Sequence, residues 1–148
     1  MIQLRTLLIA SAIAATLGFT ACSSAPMGNT AAISAKLSSA NEVPTNSSTG
    51  TGMLDASFNK ETNVLTWTVS YSGTTGPVSA GHFHGPAMAG ANAGVALGFN
   101  GSMDSPIKGT ATLTAAQAAD LLAGKWYVNL HTAANKGGEI RGQATVAN

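Results

Sequence analysis

The sequence predicts an all-β protein, a Greek-key β-sandwich or β-barrel of about seven or eight strands with one short helix near residues 115–123. Apolar and polar residues alternate along most of the chain after residue 32, which is typical of strands with one buried face. Turn-forming sequences separate these segments at intervals of roughly ten residues. No long amphipathic helices alternate with the strands, which argues against a parallel α/β fold.

The alternation is clearest between Leu65 and Tyr71, where every second residue is large and apolar. A polar turn at residues 59–63 joins this segment to an earlier one at 54–58, so the two form a predicted hairpin. Five residues are expected to face the core: Leu65, Trp67, Val69, Val128 and Leu130. For both tryptophans, Trp67 and Trp126, core packing is favoured over a platform for stacking sugars, because each lies in an alternating apolar set.

The other predicted elements complete this pattern. One helix is predicted after Thr114, whose hydroxyl and Gln117 three residues later form a capping-box sequence, and Gly124 ends the helix. Its apolar face is Ala118, Leu121 and Leu122. Further strands are predicted at residues 33–37, 78–84, 95–99, 107–113, 126–131 and 139–146.

The N-terminus has the features of an export signal. Arg5 precedes an uncharged thirteen-residue run, Leu7 to Phe19, which is shorter than the ~20 residues of a membrane-spanning helix. The run leads into Phe19-Thr20-Ala21-Cys22, which resembles a bacterial lipoprotein signal. Residues 1–21 are then a signal peptide, and Cys22 is the lipid-modified first residue of the mature protein. The alternative is an ordinary secretory signal that is cleaved at a nearby alanine.

The residues after Cys22 predict a tether followed by a single domain. Residues 22–32 are small, polar and uncharged, which is typical of a flexible linker, although an additional edge strand is the alternative. Residues 33–148 form the predicted β-domain. We therefore expect an extracytoplasmic protein that is held by its lipid on the outer membrane or the periplasmic face of a membrane.

The charge composition excludes some classes of partner. The chain has seven basic residues, so removal of Arg5 with the signal leaves six, against six acidic residues. No basic patch indicates nucleic-acid binding, and no acidic run indicates a calcium module. Membrane contact is expected through the lipid anchor; a protein or small-ligand partner is not identified by the sequence.

All three histidines of the chain lie in two short segments and are candidate metal ligands. His82 and His84 are two residues apart, so on a strand both imidazoles lie on one side, roughly 6.6–6.8 Å apart along the chain. His131 lies off the apolar face of its own predicted strand. Three imidazoles could hold zinc with an open position, or copper. The alternative is a hydrogen-bonded structural network.

Other residues are candidates for supporting roles around the histidines. Met88 could be a soft ligand for copper(I), although methionine in a loop of small residues more often packs. Glu139 and Arg141 lie two apart on one predicted strand. One interpretation is that they hydrogen-bond a metal-binding histidine or contact a ligand. The other is a buried ion pair that holds the last strand, with Glu139 accepting from His131 or Arg141. Glu42 could join the same cluster.

Several motifs carry a resemblance to a known family. In chain order they are Asn41-Glu42-Val43-Pro44, Gly81-His82-Phe83-His84-Gly85-Pro86, Gly109-Thr110-Ala111-Thr112-Leu113-Thr114, Leu122-Ala123-Gly124, and Tyr127-Val128-Asn129-Leu130-His131-Thr132 with Gly137-Gly138-Glu139-Ile140-Arg141-Gly142-Gln143. Together they resemble the CHRD domain, a module first recognised in the developmental protein chordin and also present in microbial secreted proteins. The resemblance covers about residues 34–146. It implies a single extracytoplasmic β-domain and little about activity.

A second likeness is to copper/zinc superoxide dismutase, a Greek-key β-barrel whose copper site includes a His-x-His strand. The segment from Gly81 to Gly85 resembles that strand. Such an enzyme needs several further histidines and an aspartate to hold two metals, whereas only His131 remains here. The likeness therefore implies kinship of fold and does not imply dismutase activity.

Three classes of function follow from these observations. The first is a lipid-anchored, non-enzymatic binding module, and the second is a periplasmic or outer-surface protein that binds copper or zinc. The third, a metal-dependent enzyme, is the least favoured. No serine or cysteine nucleophile stands in a recognisable context, and no glycine-rich phosphate loop precedes a helix, so no catalytic residues are assigned.

Overall fold

The computed structural model describes residues 28–147, which form eight strands and one α-helix. The predicted signal peptide, Cys22 and most of the predicted tether lie outside these residues. The strands are β1 (Thr30–Ser38), β2 (Thr51–Asn59), β3 (Val64–Ser72), β4 (Val78–His84), β5 (Val95–Gly98), β6 (Ile107–Thr112), β7 (Trp126–Thr132) and β8 (Ile140–Val146), and the helix is α1 (Ala115–Leu122). The prediction of an all-β fold with one short helix is confirmed.

All eight strands belong to one curled antiparallel sheet in the order β5-β4-β7-β8-β1-β2-β3-β6. Four antiparallel pairs join sequence neighbours: β1–β2, β2–β3, β4–β5 and β7–β8. The connections from β3 to β4, from β5 to β6 and from β6 to β7 each cross to a distant place in the sheet. One result of these crossings is that β7 lies between β4 and β8, so β4 and the β7–β8 hairpin, which are far apart in sequence, lie side by side.

The first strand begins earlier than predicted, at Thr30 and not at residue 33. It pairs with β2 over its whole length, from Thr30 opposite Asn59 to Ser38 opposite Thr51. Ala31 is buried in the core, which extends the alternating pattern of this strand towards the N-terminus. No helix among the described residues is long and apolar enough to cross a membrane.

The core forms on the apolar side of the sheet, and all five residues predicted to face it are buried. Trp67 is 4% exposed and lies in an aromatic cluster, with ring centroids 5.5 Å from Phe83 and 5.4 Å from Phe99. Gly109 on β6 lies directly opposite Trp67 on β3. A Cβ at this glycine would lie 2.2 Å from the indole ring, so the close approach requires glycine. Both predicted core tryptophans are buried.

The helix follows the predicted capping pattern. The Thr114 hydroxyl accepts a hydrogen bond from the Gln117 backbone N–H, and the Gln117 side chain accepts one from the Thr114 backbone N–H. Ala118 and Leu121 are buried, which docks the helix on the sheet. Gly124 adopts a positive φ of 69° after the last turn, a conformation that favours glycine.

Both sides of β7 are buried, although its residues alternate between apolar and polar. Six of the seven residues of this strand are buried, and among them Tyr127 and Asn129 belong to the predicted polar side. Three irregular segments cover that side. The segment after β4 contacts Tyr127, the segment after β1 places Glu42 against Asn129, and the β7–β8 connection contacts His131. The outer face of β7 is therefore a second, polar interior.

Candidate metal centre

The pairing of β4 with β7 brings the three histidines together on this covered face. The register places His84 opposite Tyr127, His82 opposite Asn129 and Ala80 opposite His131. His131 is therefore diagonal to His82, within reach of its side chain. One ring nitrogen from each histidine lies within 4.8 Å of the other two. The predicted convergence of the three side chains is present.

Backbone carbonyl groups fix the tautomers of two of these histidines. His84 Nδ1 lies 3.0 Å from the carbonyl oxygen of Ala93, and His131 Nδ1 lies 3.0 Å from that of Lys136. Because a carbonyl oxygen only accepts, each Nδ1 carries the proton, and each neutral ring then has its lone pair on Nε2. The Nε2 atom of His84 is buried and has no hydrogen-bond partner among residues 28–147.

The third histidine faces one of these lone pairs. His82 Nδ1 lies 3.1 Å from His131 Nε2, so in the absence of an ion His82 donates this hydrogen bond. A tetrahedral ion with bonds of about 2.0–2.1 Å separates two of its ligand atoms by about 3.3–3.4 Å. The His82–His131 spacing is close to this value. All three candidate nitrogens lie within 4.8 Å of one another.

The surroundings favour the neutral form of two of the rings. Burial lowers the pKa of His82, and the neighbouring His131 and His84 lower it further. Burial also lowers the pKa of His131. The hydrogen bond to the Lys136 carbonyl opposes this effect but does not outweigh it. Because metal ligation requires the unprotonated imidazole, both effects leave these rings ready to bind an ion at neutral pH.

The ring of Tyr127 stacks on the imidazole of His84. Its imidazole lies parallel to the ring of Tyr127, at an angle of 6° and a centroid distance of 5.0 Å. On the other neighbouring strand, the guanidinium carbon of Arg141 lies 3.4 Å from the centroid of the same tyrosine ring. Since β4 and β8 flank β7, Tyr127 is held between His84 and Arg141. The tyrosine hydroxyl accepts a hydrogen bond from the Ala93 backbone N–H, in the segment whose carbonyl orients His84.

The CHRD domain family matches this chain over residues 33–144. The chain belongs to the CHRD domain family. No curated protein and no solved structure shows a match to it, so the likeness to copper/zinc superoxide dismutase stays a prediction.

In this CHRD domain the prediction that Glu139 accepts a hydrogen bond from His131 or Arg141 is wrong. Glu139 is fully buried and accepts hydrogen bonds from Ser48, Thr75, Thr132 and Asn135, none of them a histidine. Burial alone would raise its pKa, but the hydrogen bonds from Ser48, Thr132 and Thr75 outweigh burial and lower it to about 2. His131 is oriented by the Lys136 carbonyl instead. Glu139 therefore anchors the loops around the start of β8 as a carboxylate.

The predicted ion pair between Glu139 and Arg141 is also absent from the described residues. The Arg141 guanidinium donates to the Asn92 side-chain oxygen at 2.9 Å and to the Ala91 carbonyl at 2.6 Å. It contacts the Tyr127 ring, which in turn stacks on His84. Arg141 is thus a positioning residue for that ring and for the loop that covers it.

Glu42, another candidate, does not belong to the histidine cluster. Glu42 accepts hydrogen bonds from the Asn129 amide through both carboxylate oxygens, at 2.9 and 3.0 Å. Burial raises its pKa to about 7, although the Asn129 hydrogen bond and the charge of Arg141 oppose the increase. Met88 is 62% exposed, and its role as a copper(I) ligand stays a prediction.

Two residues of this CHRD domain that the sequence analysis missed are Tyr127 and Asn129. Both lie on the polar side of β7, between the histidines and the buried charges. Gly138, at a φ of 137°, packs against the Asn129 amide, and a Cβ there would lie 2.6 Å from it. Tyr127 and Asn129 alternate with His131 along the strand, and this spacing could have indicated that they share its side of the sheet. Their burial could not be predicted, because it depends on loops from elsewhere in the chain.

Proposed function

We propose that this CHRD domain is a binding module for one transition-metal ion, copper or zinc, held by His82, His84 and His131 outside the cytoplasm. The observation that carries the proposal is the orientation of the rings. Two of the three present an Nε2 lone pair because a backbone carbonyl occupies the opposite nitrogen. Metal-binding histidines usually have such a partner on the second nitrogen, and it fixes the ring and its tautomer.

The buried Nε2 atom of His84 favours the interpretation that the three histidines bind a metal ion over a purely structural hydrogen-bond network. A network satisfies its polar atoms internally, and a buried nitrogen without a partner costs about 1–3 kcal/mol. His84 Nε2 has no such partner, while the other two rings bond to each other. An ion in the space between the three rings would satisfy this atom and its two neighbours at once.

Three neutral nitrogen ligands suit zinc with an open fourth position, and they also suit copper. No carboxylate or cysteine joins the three histidines in the described part of the chain. All three histidines are partly exposed, which leaves an entry path for the ion. A role in holding or delivering the ion needs no further residue. A metal-dependent reaction would need an acid or base, and none of the described contacts places one on these rings.

The extracytoplasmic location in this proposal rests on the sequence of the N-terminus. The uncharged run that ends in Phe19-Thr20-Ala21-Cys22 supports export and lipid attachment at Cys22. A metal site on a lipid-anchored domain would be held close to the membrane, where it could meet ions that arrive from outside.

Titration of tag-free protein with zinc and with copper tests the proposed metal site. We expect micromolar or tighter binding of one ion per chain, lost in both His82→Ala and His131→Ala. Lys108→Ala, an exposed change on β6, is the matched control and should bind as the wild type does. Binding that survives either histidine change removes that residue from the site, and the absence of binding leaves only the structural network.

A further inference from the structure

A cleft of about 280 Å³ lies on the same covered face, apart from the three histidines. Its walls include residues 40–43 in the segment after β1, and Ala89 and Gly90 in the segment after β4. Arg141 and Gln143 of β8 also line it. The Asn92 side chain donates to the Val43 carbonyl at 2.8 Å, which ties the two walls together.

Arg141 contributes a buried positive charge to this cleft that no carboxylate neutralises. The residue is 2% exposed, and its two hydrogen bonds go to the neutral oxygens of Asn92 and Ala91. No carboxylate lies within ion-pair distance of it among residues 28–147. A guanidinium has five N–H donors in a planar fork that matches a carboxylate. The bonds described use only part of that capacity.

Glu42 contributes the opposite charge to the same cleft when its carboxyl group is ionised. It is 6% exposed and receives hydrogen bonds from the Asn129 amide, and no cationic side chain in the described residues lies within ion-pair distance. Arg141 is near enough to influence its ionisation without bonding to it. Gln143 also lines the cleft, but its Oε1 atom has no exposed surface.

Two buried opposite charges that line one cleft without pairing call for a ligand that carries both. Such groups are costly to bury when nothing neutralises them. A simple anion would bind Arg141 but would be repelled by the Glu42 carboxylate. A simple cation would bind Glu42 but would be repelled by the Arg141 guanidinium. A dipolar molecule avoids both conflicts.

We propose that this cleft binds a small zwitterion, an α-amino acid with a short side chain. Its carboxylate is held by the Arg141 guanidinium, and its ammonium group donates to Glu42. The volume of the cleft is below that of most drug-sized pockets, which restricts the ligand to a small molecule. This site is separate from the proposed metal centre and does not depend on it.

Calorimetric titration of the full metal-free chain at pH 8 tests the proposal, since Glu42 is then largely ionised. The probes are L-alanine, propionate and ethylamine, which carry both charges, only the negative charge and only the positive charge. We expect alanine to bind with a millimolar or lower dissociation constant and each singly charged probe to bind about tenfold more weakly or worse. No binding of alanine up to about 10 mM, or propionate binding equally well, overturns the proposal.

Variants locate the site. Glu42→Gln keeps the shape of the side chain but removes its charge, and Arg141→Lys keeps the charge but loses the planar fork. Each should weaken alanine binding about tenfold or more, with folding checked by thermal unfolding. Lys108→Ala is the control and should bind alanine normally. If Arg141→Lys fails to fold, Glu42→Gln decides alone, because unchanged binding in that variant contradicts the proposal.

Discussion

The imidazole of His84 lies parallel to the ring of Tyr127, with an interplanar angle of 6° and a centroid distance of 5.0 Å. Tyr127 also supports the guanidinium of Arg141 on the neighbouring strand. One tyrosine thus connects the candidate metal centre to the charged cleft. Its hydroxyl contacts the segment after β4, whose Ala93 carbonyl orients His84 and whose Ala91 carbonyl holds Arg141.

Removal of the Tyr127 ring should weaken metal binding without removing a ligand. We expect Tyr127→Leu to lower zinc or copper affinity by about 10–100-fold, the usual effect of losing a group that orients a ligand. Tyr127→Phe keeps the stack and loses only the hydrogen bond to Ala93, so its effect should be smaller. Equal affinities of the wild type and the leucine variant would show that the stack does not position His84.

Metal affinity should depend on pH in a way that separates an ion site from a hydrogen-bonded network. Protons compete with the ion for the imidazoles, so affinity should fall on acidification. Burial lowers the pKa of His82 and His131, so the decrease should come below about 6.5, the ordinary histidine value. Isothermal titrations between pH 5 and pH 8 measure this, and an affinity that does not change over the range contradicts ligation by histidine.

Glu42→Gln should stabilise the protein at pH 8 more than at pH 5. Burial raises the pKa of Glu42 from 4.5 to about 7, so between these values the folded state binds more protons than the unfolded state. Wild-type stability therefore falls as pH rises through this window, and the variant lacks this loss. Rotation of the Asn129 amide would also let its unpartnered oxygen accept from the new glutamine.

The measurement for Glu42 is urea unfolding of both proteins across the pH range. Glu139 does not interfere, because its lowered pKa contributes stability that is lost only as pH falls from about 4.5 towards 2. A stability difference between the wild type and Glu42→Gln that stays constant from pH 5 to pH 8 would show that Glu42 is not held in a desolvated site.

Trp67→Ala should destabilise the fold by roughly 3–5 kcal/mol, as is usual for removal of a large buried aromatic side chain. The ring is 4% exposed and packs on Phe83, Phe99 and Gly109. Denaturant unfolding measures the change. A loss below about 1 kcal/mol would mean that this ring is not in the core.

Cys22→Ala should abolish incorporation of a fatty-acid analogue and release the protein from the membrane fraction. The prediction rests on the short uncharged run that ends at this single cysteine. Metabolic labelling in a bacterial host, with the wild type beside the variant, measures it. Equal labelling of the two proteins would exclude Cys22 as the attachment point.

The sequence by itself determined the class of fold, the helix and the apolar side of the sheet. Side-chain alternation and capping are local, so the core positions of Leu65, Trp67 and Val69 and the cap at Thr114 could be predicted without knowledge of distant contacts. The same local rule predicted that His82 and His84 share one side of a strand. The motifs identified the family.

The tertiary structure decided what surrounds those histidines. His131 joins them only because β4 pairs with β7, two strands separated by β5, β6 and the helix in sequence. The burial of Tyr127 and Asn129 and the partners of Glu139 and Arg141 depend on irregular segments that fold over the sheet. Such segments have no periodic pattern, and the local sequence does not indicate which distant residue a side chain will hydrogen-bond. The sequence therefore could not predict that the charged residues of the cleft lie close together without forming an ion pair.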